Sequence, residues 1–119
     1  MGPKVSILIS ARDQLSLTRK CIQCLKNTLT DGISYEVLIV NDGSRDGTEE
    51  YLKALPSKFR IFHRKVSHGF AKNNNWLARE AKGEFLLFLN NDAFVKGDWL
   101  LPMLRVFESK KKVGFVGNV

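Results

Sequence analysis

Cysteine, proline and long apolar runs are all scarce in this sequence, and each shortage excludes something. Two cysteines in 119 residues cannot staple a disulfide scaffold. Three prolines and nine glycines exclude collagen-like and low-complexity chains. The longest apolar run, Phe85 to Leu89, is strand-sized and far below the roughly 20 residues that span a bilayer. Val5 to Ile9 is too short for the apolar core of a secretory signal, and no small-residue cleavage site follows it. Met1-Gly2 through Ser6 fits the loose spacing of a myristoylation site, but Pro3 is a poor follower of Gly2 and Ser6 reads as part of a strand.

Acidic residues are also few: 12 against 19 lysines and arginines, a net charge of +7. Such a surface attracts phosphate-bearing partners, whether a nucleotide, a polyphosphate, nucleic acid or an anionic membrane. No stripe of interleaved basic and aromatic residues supports nucleic acid, and the charge leaves a membrane surface open. A hydrophobic fraction of 44% and a charged fraction of 26% are those of an ordinary globular chain with one core, so residues 1–119 are expected to be a single domain. Cys21 and Cys24 form a lone C-x-x-C in mid-helix on an apolar face, with no second pair for zinc. That placement reads as packing, and free thiols fit a reducing cytoplasm.

Strand and helix patterns alternate. Val5 to Ser10 reads as a buried strand, and Leu17, Cys21, Cys24 and Leu25 recur at helical spacing from Ser16 to about Thr28. Tyr35 to Val40 is a second strand, ending in the turn Asn41-Asp42-Gly43-Ser44. Asp46 with Glu49 forms a capping box for a short helix that Pro56 closes. Phe59 to His63 is a weaker strand. Gly69-Phe70 opens a helix with Phe70, Asn74, Leu77, Ala78 and Ala81 on one face, stopped by Gly83. Phe85 to Leu89 gives the strongest signal of a buried strand, Asp98 reads as the cap of a helix reaching Ser109 with Pro102 in its first turn, and Val113 to Val119 as a last strand. The expected fold class is α/β: three layers, a mostly parallel Rossmann-like sheet with helices on both faces.

Ligands of such sheets bind beyond the carboxyl ends of the strands, where strand order reverses. Ser10, Arg12 and Asp13 collect there from the first strand, Asn41, Asp42 and Ser44 from the second, Ser67, His68 and Gly69 from the third, and Asn90, Asn91 and Asp92 from the fourth. A strand order of 3-2-1-4 would line one crevice with all four loops. Asp42 could accept the imide hydrogen of a nucleobase or belong to an ordinary Asp-Gly turn. Asp92 could hold a divalent cation bridging two phosphates or be a solvated turn residue. No phosphate loop of the G-x-x-x-x-G-K-[ST] type is present. His63 and His68 are too isolated to suggest a metal site, and Lys110-Lys111-Lys112 suits a helix C-terminus.

In combination, Val5 to Ser10, Val37 to Ser44 with Asp46-Gly47-Thr48, Gly69-Phe70-Ala71 with Asn75, and Phe88 to Asp92 closely resemble glycosyltransferase family 2, the inverting nucleotide-sugar transferases of the GT-A fold. The resemblance implies that Ser10 lies beside the nucleoside and that Asp42 bonds the base, typically uracil or thymine. It places Asn90-Asn91-Asp92 at the family's D-x-D motif, with Asp92 contacting Mg²⁺ or Mn²⁺ and Asn90 in place of the first acid. Asn75 matches an asparagine facing the donor. The implied donor is a UDP- or dTDP-sugar and the acceptor a glycan or other hydroxyl compound. Arg12 stands where members often have an aromatic residue and Asp13 where asparagine is common; both belong to the implied substrate site. Leu77 replaces a frequent glycine.

Members of the family continue well past this length. The resemblance therefore implies a donor-binding part that lacks the acceptor half and the general base, and no residue here matches that base. Such a piece is expected to be inactive by itself in sugar transfer and, with an uncovered sheet edge, to self-associate. A non-catalytic nucleotide-binding or assembly module retaining the fold is the alternative.

Overall fold

The computed structural model describes residues 2–29 and 32–109. Elements alternate in the order β1 (Val5–Ala11), α1 (Leu15–Thr28), β2 (Tyr35–Asp42), α2 (Thr48–Lys53), β3 (Phe59–Arg64), α3 (Phe70–Glu80), β4 (Phe85–Asn90) and α4 (Leu100–Ser109). The strands make one parallel sheet in the order β3-β2-β1-β4. The expected strand Val113 to Val119 and the run Lys110 to Lys112 lie outside the described residues. Among the described residues, no helix is long and apolar enough to cross a membrane.

Alternate side chains leave a strand on opposite faces, and the two faces of this sheet have different covers. On one, Val5, Ile7, Ile9, Val37 and Ile39 pack with Cys21, Ile22 and Leu25 of α1, Leu52 of α2, and Leu100 and Leu104 of α4. On the other, Leu8, Leu38 and Val40 pack with Leu77 of α3. The register sets Leu8 beside both Leu38 and Phe88, which makes β1 the central buried strand. The chain steps from β1 to β3 with α1 and α2 on the first face. It then crosses back with α3 on the second and lays β4 on the far side of β1, as right-handed crossovers require. Strand order therefore reverses at β1, and the carboxyl ends of β1 and β4 flank the switch point.

Several local expectations need correction. β4 is not buried on both faces: it ends the described sheet, and Leu86 and Phe88 are exposed on the face where α3 packs over β1 and β2. In α1 the inward positions are Thr18, Cys21, Ile22 and Leu25, with Leu17 and Cys24 half-buried. In α3 they are Asn73 and Leu77, while Phe70 is exposed. Leu77 fills the space between α3 and the sheet. Asp98 lies two residues ahead of α4, so it is not the capping residue. The capping box at α2 does not close, because Glu49 pairs with Lys53 at 3.2 Å. The packing reading of Cys21 agrees with the structure: burial first, then Cys24 and Asp92, push its thiol up to about 12.

The amino end of the sheet is held by Glu36, only 8% exposed. Its carboxylate accepts from Ser6 Oγ at 2.6 Å, the Lys82 amide at 2.7 Å and Arg60 Nη1 at 3.1 Å. Ser6 Oγ also accepts from the Gly83 amide at 2.8 Å. A Cβ on Gly83 would lie 2.5 Å from Ser6 Oγ and 2.6 Å from Ser6 N. Gly83 therefore serves close approach rather than stopping α3, which ends at Glu80. Burial raises the Glu36 carboxyl, but the bonds from Ser6, Lys82 and Arg60 outweigh it and hold the group below the ordinary 4.5. A lowered folded value means this contribution is complete above about pH 4.5 and is lost as pH falls through the folded value. Glu36→Ala should cost about 1.5–3 kcal/mol at neutral pH and flatten the acid limb of stability, read by urea denaturation between about pH 7 and pH 3. A variant as stable as the parent would show that these donors can be satisfied by solvent.

Candidate functional site

The site is built from the turns that follow β1, β2 and β4. After Ser10, half-buried, and Ala11, buried, the chain exposes Arg12 and then places Asp13 and Gln14 at φ 52° and 55°. Two successive left-handed non-glycine residues cost energy, and hydrogen bonds hold them. The Asp13 amide donates to Ser44 Oγ at 2.8 Å, and Asp13 Oδ1 accepts from the Arg45 amide at 2.7 Å. The first amide of α1, Leu15 N, donates to Asp46 Oδ2 at 3.0 Å. Asp46 Oδ1 accepts from Thr48 N at 3.1 Å and from Thr48 Oγ1 at 2.5 Å. One carboxylate thus serves the first turns of both α1 and α2, whose opening amides have no helical partners. The Thr48 hydroxyl, with the Leu15 and Thr48 amides, holds the Asp46 carboxyl below its ordinary range.

At the end of β2, Asn41 Oδ1 accepts from the Ser44 amide at 3.3 Å and Nδ2 meets His63 Nδ1 at 3.1 Å. Since Nδ2 can only donate, the ring accepts at Nδ1. His63 therefore supports the turn. Gly43, at φ 77°, makes the reversal that a side chain would strain. Asp42, 3% exposed, points to the α3 face. Its Oδ1 accepts from the His68 amide at 2.8 Å; its Oδ2 accepts from Ser67 Oγ at 2.7 Å and the Gly69 amide at 3.1 Å. This carboxylate lies at the amino end of α3, where the helix dipole favours negative charge. Burial raises the Asp42 carboxyl, yet donation from Ser67, His68 and Gly69 prevails and holds it below its ordinary range.

The switch-point strand β4 ends in Asn90, whose carbonyl accepts from Cys21 Sγ at 3.6 Å and from the Ala93 amide at 3.1 Å. Asn91 Nδ2 donates to Thr18 Oγ1 at 3.1 Å, which ties this turn to α1 and turns Asn91 away from the crevice. The Asn90 and Asp92 side chains are exposed beside it, as are Arg12 and Arg45.

The sequence-derived candidates therefore divide. Ser10, Asp13 and Asp42 lie at the carboxyl ends of β1 and β2 in separate hydrogen-bonded groups, Ser10 with Asn73, Asp13 with Ser44 and Arg45, and Asp42 with the turn 67–69, whereas Asn91 faces α1. Asn75 is exposed on α3, while the buried asparagine of that helix is Asn73, whose Nδ2 donates to Ser10 Oγ at 3.1 Å. Asn73 belongs to none of the sequence motifs. Its signal is the four-residue spacing to buried Leu77, which puts both on one helix face.

Among the described residues, no cluster of three or more His, Cys, Asp or Glu side chains can hold a metal. Asp92 is an exposed single carboxylate, a ligand that a hard cation can share with other oxygen donors and water.

Residues 6–119 match the family model described as Glycosyl transferase family 2. The chain belongs to that family. It is 34% identical over 107 residues to a putative glycosyltransferase, EpsH, of Bacillus subtilis strain 168, covering 87% of this chain and 30% of that protein. It is 29% identical over 102 residues to a poly(ribitol-phosphate) beta-glucosyltransferase of Bacillus spizizenii, covering 82% of this chain and 16% of the relative. In structure it resembles residues 1–349 of Staphylococcus aureus TarS in complex with UDP, with a TM-score of 0.75, 21% identity, and coverage of 89% and 32%. It also resembles the mannosyltransferase PcManGT of Pyrobaculum calidifontis in complex with GDP-Man and Mn²⁺, with a TM-score of 0.70, 19% identity, and coverage of 82% and 30%. The family 2 chain thus spans less than a third of the length of each of these proteins, and the two structural likenesses show the GT-A fold.

The strained turn before α1 gives a direct test. Gln14 offers its carbonyl to α1 and uses no side-chain bond, so Gln14→Gly should stabilise by up to about 1 kcal/mol in chemical denaturation. Asp13→Gly also relieves a left-handed residue but removes the Arg45 contact, and it should give no gain. Equal stabilisation by both would mean that the Asp13 carboxylate contributes nothing to the turn.

Proposed function

We propose that this chain is the donor-binding part of an inverting sugar transferase that takes a uridine or thymidine diphosphate sugar. The observation that carries the reading is the placement, in a family 2 chain, of two differently prepared carboxylates at the carboxyl ends of β2 and β4, the strands on either side of β1. Asp42 is buried and held ionised, and its three protein donors leave a lone-pair position on Oδ1 for a base N–H. Asp92 is exposed at the switch point, where the diphosphate would lie. Arg12 and Arg45 supply positive charge at the rim, and the +7 balance draws an anionic donor towards it.

Asp92, with the Asn90 amide oxygen, would hold Mg²⁺ or Mn²⁺. The cation, when bound, supplies charge stabilisation for the departing nucleoside diphosphate. The chain's own residues bind and orient: Ser10 and Asp42 fix the base, and Asp13 and Asp46 fix the turn against which the nucleoside rests. The acceptor hydroxyl must lose a proton as it attacks the anomeric carbon with inversion. Asp13 is poorly placed for that, because its carboxylate is engaged by the Arg45 amide. We place the general base and the acceptor pocket in a part of the protein outside these residues. The free thiols Cys21 and Cys24 support a reducing, cytoplasmic setting.

Calorimetry tests the donor site. Uridine diphosphate should bind weakly without metal and about tenfold or more tightly with Mg²⁺ or Mn²⁺, a difference of at least ~1.4 kcal/mol. Asp92→Asn should remove the enhancement without weakening the metal-free binding. Identical null heats with and without metal would sink the reading. In a transfer assay, the isolated chain should fall at least about 10²-fold below a parent protein containing these residues, the lower range of general-base assistance. Robust transfer abolished by Asp13→Asn would show that the base lies at the end of β1.

A further inference from the structure

Asn73 is fully buried, yet its Oδ1 has no hydrogen-bond partner among the described residues. A buried amide oxygen left without a donor loses its hydration with nothing in return, and an apolar side chain would avoid that loss. Leu77, one turn along the same face, shows that the α3–sheet interface accepts a large aliphatic residue. Packing therefore does not account for an amide at position 73. What the amide does is donate: Nδ2 reaches Ser10 Oγ at 3.1 Å.

The direction of that bond fixes the polarity of Ser10. A hydroxyl has one hydrogen and two lone pairs, and Ser10 uses a lone pair to accept from Asn73. Its hydrogen is left to donate, and Ser10 is half-buried at the switch-point end of β1. The amide would reverse this relation if it turned by half a rotation, since Oδ1 would then require the Ser10 hydrogen. Asp42 opposes the turn. Its carboxylate, on the same sheet face, only accepts, so an amide oxygen turned towards it would meet like charge. The stranded Oδ1 is the consequence of an orientation in which the NH₂ end serves Ser10.

We infer that Asn73 is a positioning residue for nucleobase choice: it makes Ser10 a hydrogen-bond donor, so the site takes bases that present a carbonyl oxygen beside a ring N–H. This deepens the donor-binding reading and rests on it. Uracil, thymine and guanine carry that pair, with the ring N–H left for the open position on Asp42. Cytosine and adenine present an amino group and a bare ring nitrogen, which place donor against donor at Ser10 and acceptor against acceptor at Asp42. Uridine and cytidine diphosphates differ at these two positions alone, so their ratio isolates the effect from phosphate and metal binding.

The test is calorimetric titration of the full chain, with Mg²⁺ present, using uridine and cytidine diphosphates as probes. The parent should favour uridine diphosphate by about tenfold or more, the discrimination expected of one well-placed polar contact. Asn73→Asp substitutes a group that only accepts, so Ser10 must donate inward, and the preference should fall to unity or invert. Asn73→Ala frees the hydroxyl to rotate, and Ser10→Ala removes it; each should bring the ratio towards one while uridine diphosphate still binds. These two variants decide the matter if the added carboxylate prevents folding, which circular dichroism would report. A merely structural role for Asn73 would weaken both nucleotides equally and leave the ratio unchanged, and that result overturns the inference while the donor-site reading stands. Failure of the parent to bind either diphosphate overturns both.

Discussion

A buried carboxylate stays charged only if the chain brings it donors, and β2 carries two of them on one face, at its two ends. Glu36 and Asp42 are each less than a tenth exposed. Six residues apart on a strand, they share the face that α3 covers. Glu36 gathers Ser6 of β1, Arg60 of β3 and the chain entering β4. Asp42 gathers the turn entering α3. The crossover from β3 to β4 is therefore tied to β2 both where it begins and where it ends. An ion pair on an open surface would contribute little to such an arrangement, but donors committed to a desolvated carboxylate are costly to strand.

That tether gives the crevice its shape. Right-handed crossovers and the order β3-β2-β1-β4 dictate that the strand ends converge, but they do not dictate how the turns are held. Here the holding is polar and reciprocal: Asp13 with Ser44 and Arg45, Asp46 with the first turns of α1 and α2, Asn41 with Ser44 and His63. Each turn borrows a donor or acceptor from a neighbour that is distant in sequence, so the rim is cross-braced instead of consisting of independent loops.

Much of this was legible in the sequence because it depends on local chemistry. Continuous aliphatic runs revealed β1 and β2, turn residues marked their ends, and the order of motifs pointed to the family. What could not be read depends on partners in space. Phe85 to Leu89 has the composition of a doubly buried strand, but α3 leans over β1 and β2, leaving Leu86 and Phe88 exposed. Asp46 and Glu49 have capping-box spacing, but Asp46 is drawn to Leu15 across the crevice and Glu49 to Lys53. Gly83 looks like a helix stop and is instead a point where two backbones nearly touch. Asn73 lies within a run of three asparagines, and an inner face drawn through Asn74 is one residue out of step with the buried one.

The carboxylates of the rim also divide by how complete they are. Asp13, Asp42 and Asp46 already have protein donors, so their geometry exists before any ligand arrives. Asp92 is exposed on a turn whose other asparagine, Asn91, is committed to α1. On the donor-binding reading, the nucleoside end is thus preorganised, whereas the phosphate end is finished by the ligand and a cation together. Preorganisation lowers the ordering cost of the first contact, and mutual completion makes the second contact depend on it. A cation alone meets one exposed carboxylate, and a diphosphate alone meets that same negative charge. Each therefore needs the other at Asp92, while a base needs only what the fold has already placed at Ser10 and Asp42.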